Sequence, residues 1–182
     1  MKLIGMWKLL REIRRLFRQL IRFPRNVVWY FLATPYNDYR LARDRKVLQG
    51  DMEISDRVAV MVIYPSDGLL DSHLMTLRHI KESGYTTVIV SNQPLSEEEQ
   101  HRVLPHCAKY IERPNFGYDF GAYRDGVLSV KRQLKSLKRL VLLNDSAWYP
   151  LPEARNWISE AENMGPDMVG AVSNFGTPRL PP

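Results

Sequence analysis

The sequence predicts an α/β fold: a mainly parallel sheet with helices on both faces, of the Rossmann-like kind, preceded by an amphipathic helix. Three observations carry that reading. From Arg57 onward, short and near-continuous apolar runs rich in β-branched residues recur, as in strands buried on both faces. Segments that open on capping residues separate them. Before Arg57, apolar residues instead recur at three- and four-residue spacing, the period of a helix.

That first helix is expected over residues 1–25. Leu3, Met6, Leu10, Ile13, Phe17 and Leu20 form its stripe, Leu9 and Leu16 widen it, and Pro24 predicts a stop near Arg22. Residues 26–56 read as an apolar patch, Val27 to Ala33, followed by a polar, partly helical connector with Tyr36, Tyr39 and Leu41 available for packing. Residues 57–182 then form the α/β domain.

Charge is concentrated in the first segment. Lys2, Lys8, Arg11, Arg14, Arg15, Arg18, Arg22 and Arg25 face Glu12 alone, while the remaining chain has 18 basic and 19 acidic residues. A nucleic-acid-binding domain spreads positive charge over its folded face, so the formal +6 does not argue for nucleic acid. Charges interrupt the helix too often for a span, which needs about 20 mostly apolar residues. No apolar core with a small-residue cleavage site marks a signal peptide. Together with the Val27 to Ala33 run, the segment suits a helix lying in the interface of an anionic membrane, with Lys8, Arg11, Arg14, Arg15, Arg18 and Arg22 toward the headgroups. That places the protein in the cytoplasm, peripheral on the inner face of the cell membrane. Docking on the protein's own body or on a partner is the other reading of the same stripe. Cys107 stands alone, which excludes an intramolecular disulfide and suits a reducing compartment. His73, His79, His101 and His106 show no metal-ligand spacing and read as surface or packing residues.

In the domain, Val58 to Tyr64, Thr86 to Val90, Lys109 to Glu112 and Arg139 to Leu143 read as strands, with a last one over Met168 to Val172. Helices are expected from Asp71 or Ser72 to near Gly84, from Ser96 to about Leu104, from about Asp119 to Leu134, and from Pro152 to about Met164. Ser96 and Glu99 form a capping box. In parallel α/β sheets ligands bind beyond the carboxyl ends of strands, and three polar clusters fall there. Tyr64, Ser66 and Asp67 follow the first strand, suited to a base or ribose, although such a loop is also a common turn. RPNFGYDFGAYRDG, residues 113–126, supplies Asn115, Gly117, Asp119, Arg124 and Asp125 near a helix start, where amide donors favour an anion. Capping and solvation of that helix would use the same carboxylates. Asn144, Asp145 and Ser146 follow the fourth strand, where a carboxylate suits a divalent cation, magnesium or manganese, and a diphosphate. A short Asx-type turn is the alternative.

Taken in order, RVAVMVIYPSD, TTVIVSN, RPNFGYDFGAYRDG and RLVLLNDSAWYP resemble the rhamnan synthesis protein F family, over roughly Arg57 to Asn174. That family is associated with rhamnose-containing cell-surface polysaccharides of the O-antigen or lipopolysaccharide type and is related to GT-A glycosyltransferases. The resemblance implies that Tyr64, Ser66, Asp67, Asn115, Gly117, Asp119, Asp125 and Asn144 line a nucleotide-sugar pocket. It implies that Asp145, with Ser146, binds the metal where GT-A enzymes carry a DXD motif. Asn144 and Ser146 replace the flanking aspartates of that motif, which puts metal affinity in doubt. A donor such as dTDP-rhamnose and a lipid-linked glycan acceptor follow from the same resemblance. The sequence ends about 36 residues past Ser146, so the acceptor half is expected to be largely missing, and no catalytic base is assigned. A non-catalytic nucleotide-sugar-binding or scaffold protein at the membrane is the alternative, and a doubly wound regulatory domain is a third.

Overall fold

The computed structural model describes residues 2–146, 149–150 and 156–170. The chain divides into two units, Met1–Arg45 and Lys46–Pro182.

In the first unit, helix α1 (Lys2–Pro35) runs unbroken for 34 residues, about 50 Å at 1.5 Å per residue. The predicted stop before Pro24 is therefore corrected: the helix carries Pro24 in its interior. Proline removes one donor and frees the carbonyl four residues back, at a cost of roughly 3 kcal/mol. Residues 7–32 are all exposed, so water can take that carbonyl. The apolar stripe also resumes in the same register at Val27 and Phe31, giving the helix one continuous face. A π-helical turn, Tyr36–Arg40, and a 3-10 turn, Leu41–Asp44, close the unit. No described helix is long and apolar enough to cross a membrane.

The second unit is built on five strands, β1 (Lys46–Gln49), β2 (Arg57–Ile63), β3 (Thr86–Ser91), β4 (Lys109–Glu112) and β5 (Arg139–Asn144), in the order β1-β4-β3-β2-β5. The β4-β3-β2-β5 neighbours are parallel, as expected. Strand β1 lies where the sequence predicts a connector; it pairs antiparallel with β4, from Lys46 opposite Glu112 to Gln49 opposite Lys109. The sheet is thus mixed at that edge. The chain leaves the central β2 toward β3 and β4, then crosses back to place β5 on the other side of β2. The carboxyl ends of β2 and β5 are the switch point of this topology, where the crossovers diverge and leave a crevice.

Helices α2 (Asp71–Glu82), α3 (Glu97–Val103), α4 (Tyr118–Ser129) and α5 (Trp157–Asn163) cover the sheet. Alternate residues of a strand point to opposite faces, and both faces of β2 are apolar. Ala59, Met61 and Ile63 pack with Leu77 and Ile80 of α2, Val103 of α3 and Ile158 of α5. Val58, Val60 and Val62 pack with Val88, Val90 and Ala122 of α4. Each of the valine, leucine, isoleucine and methionine side chains contributes roughly 1.5–3 kcal/mol by burial. Helix α4 lies so close to β2 that a Cβ on Gly126 would stand 2.4 Å from Val60 Cγ1.

The capping box of α3 forms as predicted: Glu99 N–H donates to Ser96 Oγ at 3.3 Å, and Ser96 N–H to Glu99 Oε2 at 2.8 Å. Glu99 Oε1 also accepts from Leu69 N–H at 2.6 Å, which fastens the β2–α2 loop to α3. Helix α4 ends at Ser129, short of the predicted Leu134, and a 3-10 turn over Lys131–Gln133 follows. Helix α5 starts at Trp157, where Asn156 Oδ1 accepts from Ile158 N–H; the predicted start at Pro152 lies outside the described residues. Residues 168–170 form no strand, and the remainder of that predicted strand, 171–172, also lies outside them.

Candidate functional site

Strand β5 carries the chain to the switch point and stops there. Asp145 N–H donates to Val62 O at 3.1 Å, extending the parallel pairing one step past the strand. This places the Asp145 carboxylate over the end of β2, where its Oδ2 accepts from Tyr64 N–H at 2.6 Å. His73, in the first turn of α2, approaches the same oxygen through Nε2 at 3.4 Å. His73 Nδ1 accepts from Leu70 N–H at 3.1 Å, so the ring proton sits on Nε2 and points at Asp145. Burial pushes the Asp145 pKa upward, but the His73 and Tyr64 donors outweigh it and hold the carboxyl below its ordinary range. The Asp145 side chain remains 17% exposed, and its hydrogen bonds among the described residues engage Oδ2 rather than Oδ1.

Asn144 ties this turn to the opposite helix. Its Nδ2 donates to Asp119 Oδ2 at 2.9 Å and to Ser146 Oγ at 3.1 Å. Asp119 lies in the first turn of α4, and Tyr123 follows it by four residues on the same side. Burial, then the charges of Asp119 and Asp145, push the Tyr123 hydroxyl pKa up. The amino end of α4 has Gly117 as its cap, at φ +75°, which has no side chain to cap the first-turn amides. Amides at such a helix start suit an anion. A cleft of about 680 Å³ runs along β5 from Arg139 to Asn144, with Tyr123, Tyr149 and Trp157 among its walls, within the usual size of a ligand site.

The three predicted clusters converge only in part. Asn144, Asp145, Ser146 and Asp119 come together, and Tyr64 joins them through its backbone. Tyr64, Ser66 and Asp67 have exposed side chains on the adjoining loop, with Ser66 Oγ donating to Asp67 Oδ2 at 3.2 Å. Asn115 and Gly117 are exposed ahead of α4. Asp125 lies elsewhere: it is buried, and its Oδ2 accepts from Arg113 Nε at 2.8 Å. Arg113 donates onward to Asn92 Oδ1 at 2.7 Å and to Phe116 O at 2.5 Å. Asp125 therefore braces the 113–117 loop from below, and the pocket role implied for it by resemblance has no geometric support.

Two participants carry no clear mark in the sequence. His73 reads there, with the other histidines, as a surface or packing residue. Its place three residues after Leu70 is the side-chain half of a capping box, a weak signal without Ser or Thr at the cap. Tyr123 is marked only by its i, i+4 spacing to Asp119. Cys107 is buried, with its thiol pushed up to about 12 by burial, which makes it a packing residue.

Residues 87–175 match the Rhamnan synthesis protein F family, a stretch that contains both motifs most specific to the resemblance. The match supports a place in rhamnan or related polysaccharide synthesis. The chain is also 33% identical over 168 residues to the "Uncharacterized protein y4gN" of Sinorhizobium fredii (strain NBRC 101917 / NGR234). That alignment covers 92% of this chain and 43% of the relative, so the chain spans less than half of the relative's length. No solved structure matches.

Proposed function

We propose, from the rhamnan synthesis protein F match that runs through the site, that the crevice beyond β2 and β5 holds a nucleotide-sugar donor for glycosyl transfer in polysaccharide synthesis. One observation carries this reading: Asp145 sits over the switch point and is joined through Asn144 to the amino end of α4. The diphosphate would meet the amides at Gly117–Asp119, and the nucleoside would lie against the Tyr64–Asp67 loop. A GT-A-type domain uses such a site for dTDP-rhamnose or a similar donor. In the transfer, the anomeric carbon's bond to the diphosphate oxygen breaks and a bond to an acceptor hydroxyl oxygen forms. The hydroxyl proton leaves to a base, and the nucleoside diphosphate departs.

Among the described residues no three His, Cys, Asp or Glu side chains form a metal cluster. The donor set fits magnesium or manganese only as a guest of the diphosphate, with Asp145 Oδ1 and the Ser146 hydroxyl as its protein ligands. The cation would supply charge neutralisation to the diphosphate.

The test is thermal unfolding with dTDP, dTDP-rhamnose and UDP, each with and without manganese. A ligand at about a hundred times its Kd should raise Tm by roughly 5–10 °C, and Asp145→Ala should remove the rise. No rise with any nucleotide would refute the reading. A second reading, binding without turnover, has its own observation. Asp145 and Asp119 each already accept a hydrogen bond that holds the site together, which leaves neither as an uncommitted base. Release of nucleotide from the donor by the purified chain would exclude it.

A further inference from the structure

Helix α1 exposes an apolar face that the second unit's chemistry does not use. Leu10, Ile13, Phe17 and Leu20 alternate at three- and four-residue spacing, and Val27 and Phe31 continue the row beyond Pro24 in unchanged register. These side chains are exposed, Phe17 by 62%, Leu20 by 68% and Phe31 by 68%. Leu16 and Phe23 widen the face on one flank, Ile21 and Val28 on the other. At 100° per residue the face covers roughly 160° of the helix circumference. The seam of a two-stranded coiled coil is narrower than that. Opposite it, Arg11, Arg14, Arg15, Arg18, Arg22 and Arg25 fall within an arc of roughly 100°. Glu12 approaches Arg11 and Arg15, and it is the only acidic residue between positions 2 and 35.

We infer that the whole of α1, from the arginine-bearing part through Phe31, is a docking surface for a bilayer with anionic headgroups. Charge and width decide the occupant together. A face this broad sinks about 5–10 Å into the acyl boundary. A helix about 10 Å across then keeps its arginines within one Debye length of the headgroup charge. Between Arg25 and Asp38 the sequence carries no charge, so Val27 to Leu32 meets hydrocarbon on most sides. The apolar face therefore continues six residues past the predicted helix end at residue 25, to Phe31, on one unbroken helix. The proline in its middle does not divide it.

Co-sedimentation of the full chain with phosphatidylglycerol-containing and pure phosphatidylcholine vesicles tests this. Binding is expected on the anionic vesicles and to fall as salt rises. Arg11→Glu, Arg14→Glu, Arg15→Glu and Arg18→Glu together should weaken it by at least about a hundredfold. Val27→Asp with Phe31→Asp should weaken it about as much as Phe17→Asp with Leu20→Asp. Unchanged thermal unfolding of the second unit in each variant separates lost docking from lost folding. Equal binding to both vesicle types, or charge reversal without effect, overturns the electrostatic claim. Full binding by the Val27 and Phe31 variant overturns the extended face. Sedimentation velocity that finds a lipid-free oligomer, dissolved by Phe17→Asp and with no vesicle uptake, assigns the face to a second copy instead.

Discussion

Helix α4 and the turn that ends β5 each bring a carboxylate to the same end of the sheet, and the two fare differently. Asp125 is 5% exposed and is met by a buried arginine. Asp145 stands over the crevice with one oxygen held by Tyr64 and His73. One is locked in a buried ion pair and the other keeps part of its side chain open to the crevice. Both lie in the polar motifs that carry the family resemblance, so membership of such a motif does not distinguish a carboxylate open to the crevice from one buried in a helix face. Burial and partner do.

The largest expected effect breaks the buried ion pair. Asp125→Ala removes the carboxylate that meets the buried Arg113 guanidinium, a loss of about 3–5 kcal/mol. Urea unfolding should report it as a lowered midpoint with an unchanged slope. Where enough folded protein remains, its nucleotide affinity should stay near that of the parent, whereas Asp145→Ala removes the ligand response at smaller cost in stability. A parent-like midpoint for Asp125→Ala would remove the contrast.

A smaller effect sharpens the other side. His73→Ala deletes the acceptor for Leu70 N–H and the donor to Asp145, at a cost of about 1 kcal/mol. Its effect should be coupled to Asp145→Ala by at least about 0.5 kcal/mol in a double-mutant cycle. His73→Ala should also weaken the nucleotide response without abolishing it, because it loosens the carboxylate and leaves it in place. Strict additivity of the two substitutions would mean that the pair at 3.4 Å positions nothing.

Much of the fold is legible in the sequence where burial and local capping agree. The runs at 58–64, 86–90, 109–112 and 139–143 form strands within a residue of their expected ends, because central parallel strands are apolar on both faces. Strand β1 is not legible. Lys46-Val-Leu-Gln49 is short and mostly exposed, and its place comes from backbone pairing with β4. Pro24 misleads for a related reason, since residues 7–32 are exposed and water can take the carbonyl that the proline frees. At the site, strand ends locate the clusters but not their direction. Ala122, Asp125 and Gly126 recur at i, i+3, i+4 and form the buried face of α4, and that period in the sequence already marks Asp125 as inward. His73 carries no comparable mark, because its role depends on a strand end 72 residues away.

The smallest expected effect is a pH dependence that originates at the opposite, amino end of the sheet. There the Glu162 carboxylate takes the Tyr85 hydroxyl and the Arg57 guanidinium, and Arg57 lies 4.6 Å above the Tyr85 ring. The Tyr85 hydroxyl bond lowers the Glu162 pKa from its ordinary 4.5, as the Leu69 N–H lowers that of Glu99. A depressed carboxyl contributes stability above its unfolded pKa and loses it as pH falls through the folded value. Burial first, then Glu162, raises Tyr85 from 10.0 to about 12. A raised hydroxyl contributes below pH 10 and loses it as pH climbs toward 12. Stability should therefore be flat between these limits, decline below pH 4.5 and decline again above pH 10. Glu162→Gln should flatten part of both limbs while leaving the nucleotide response at the carboxyl end intact, since it touches neither Asp145 nor α4. Denaturant midpoints across that range measure it, and an unchanged acid limb in Glu162→Gln would assign the acid loss to Glu99 and Asp145 instead.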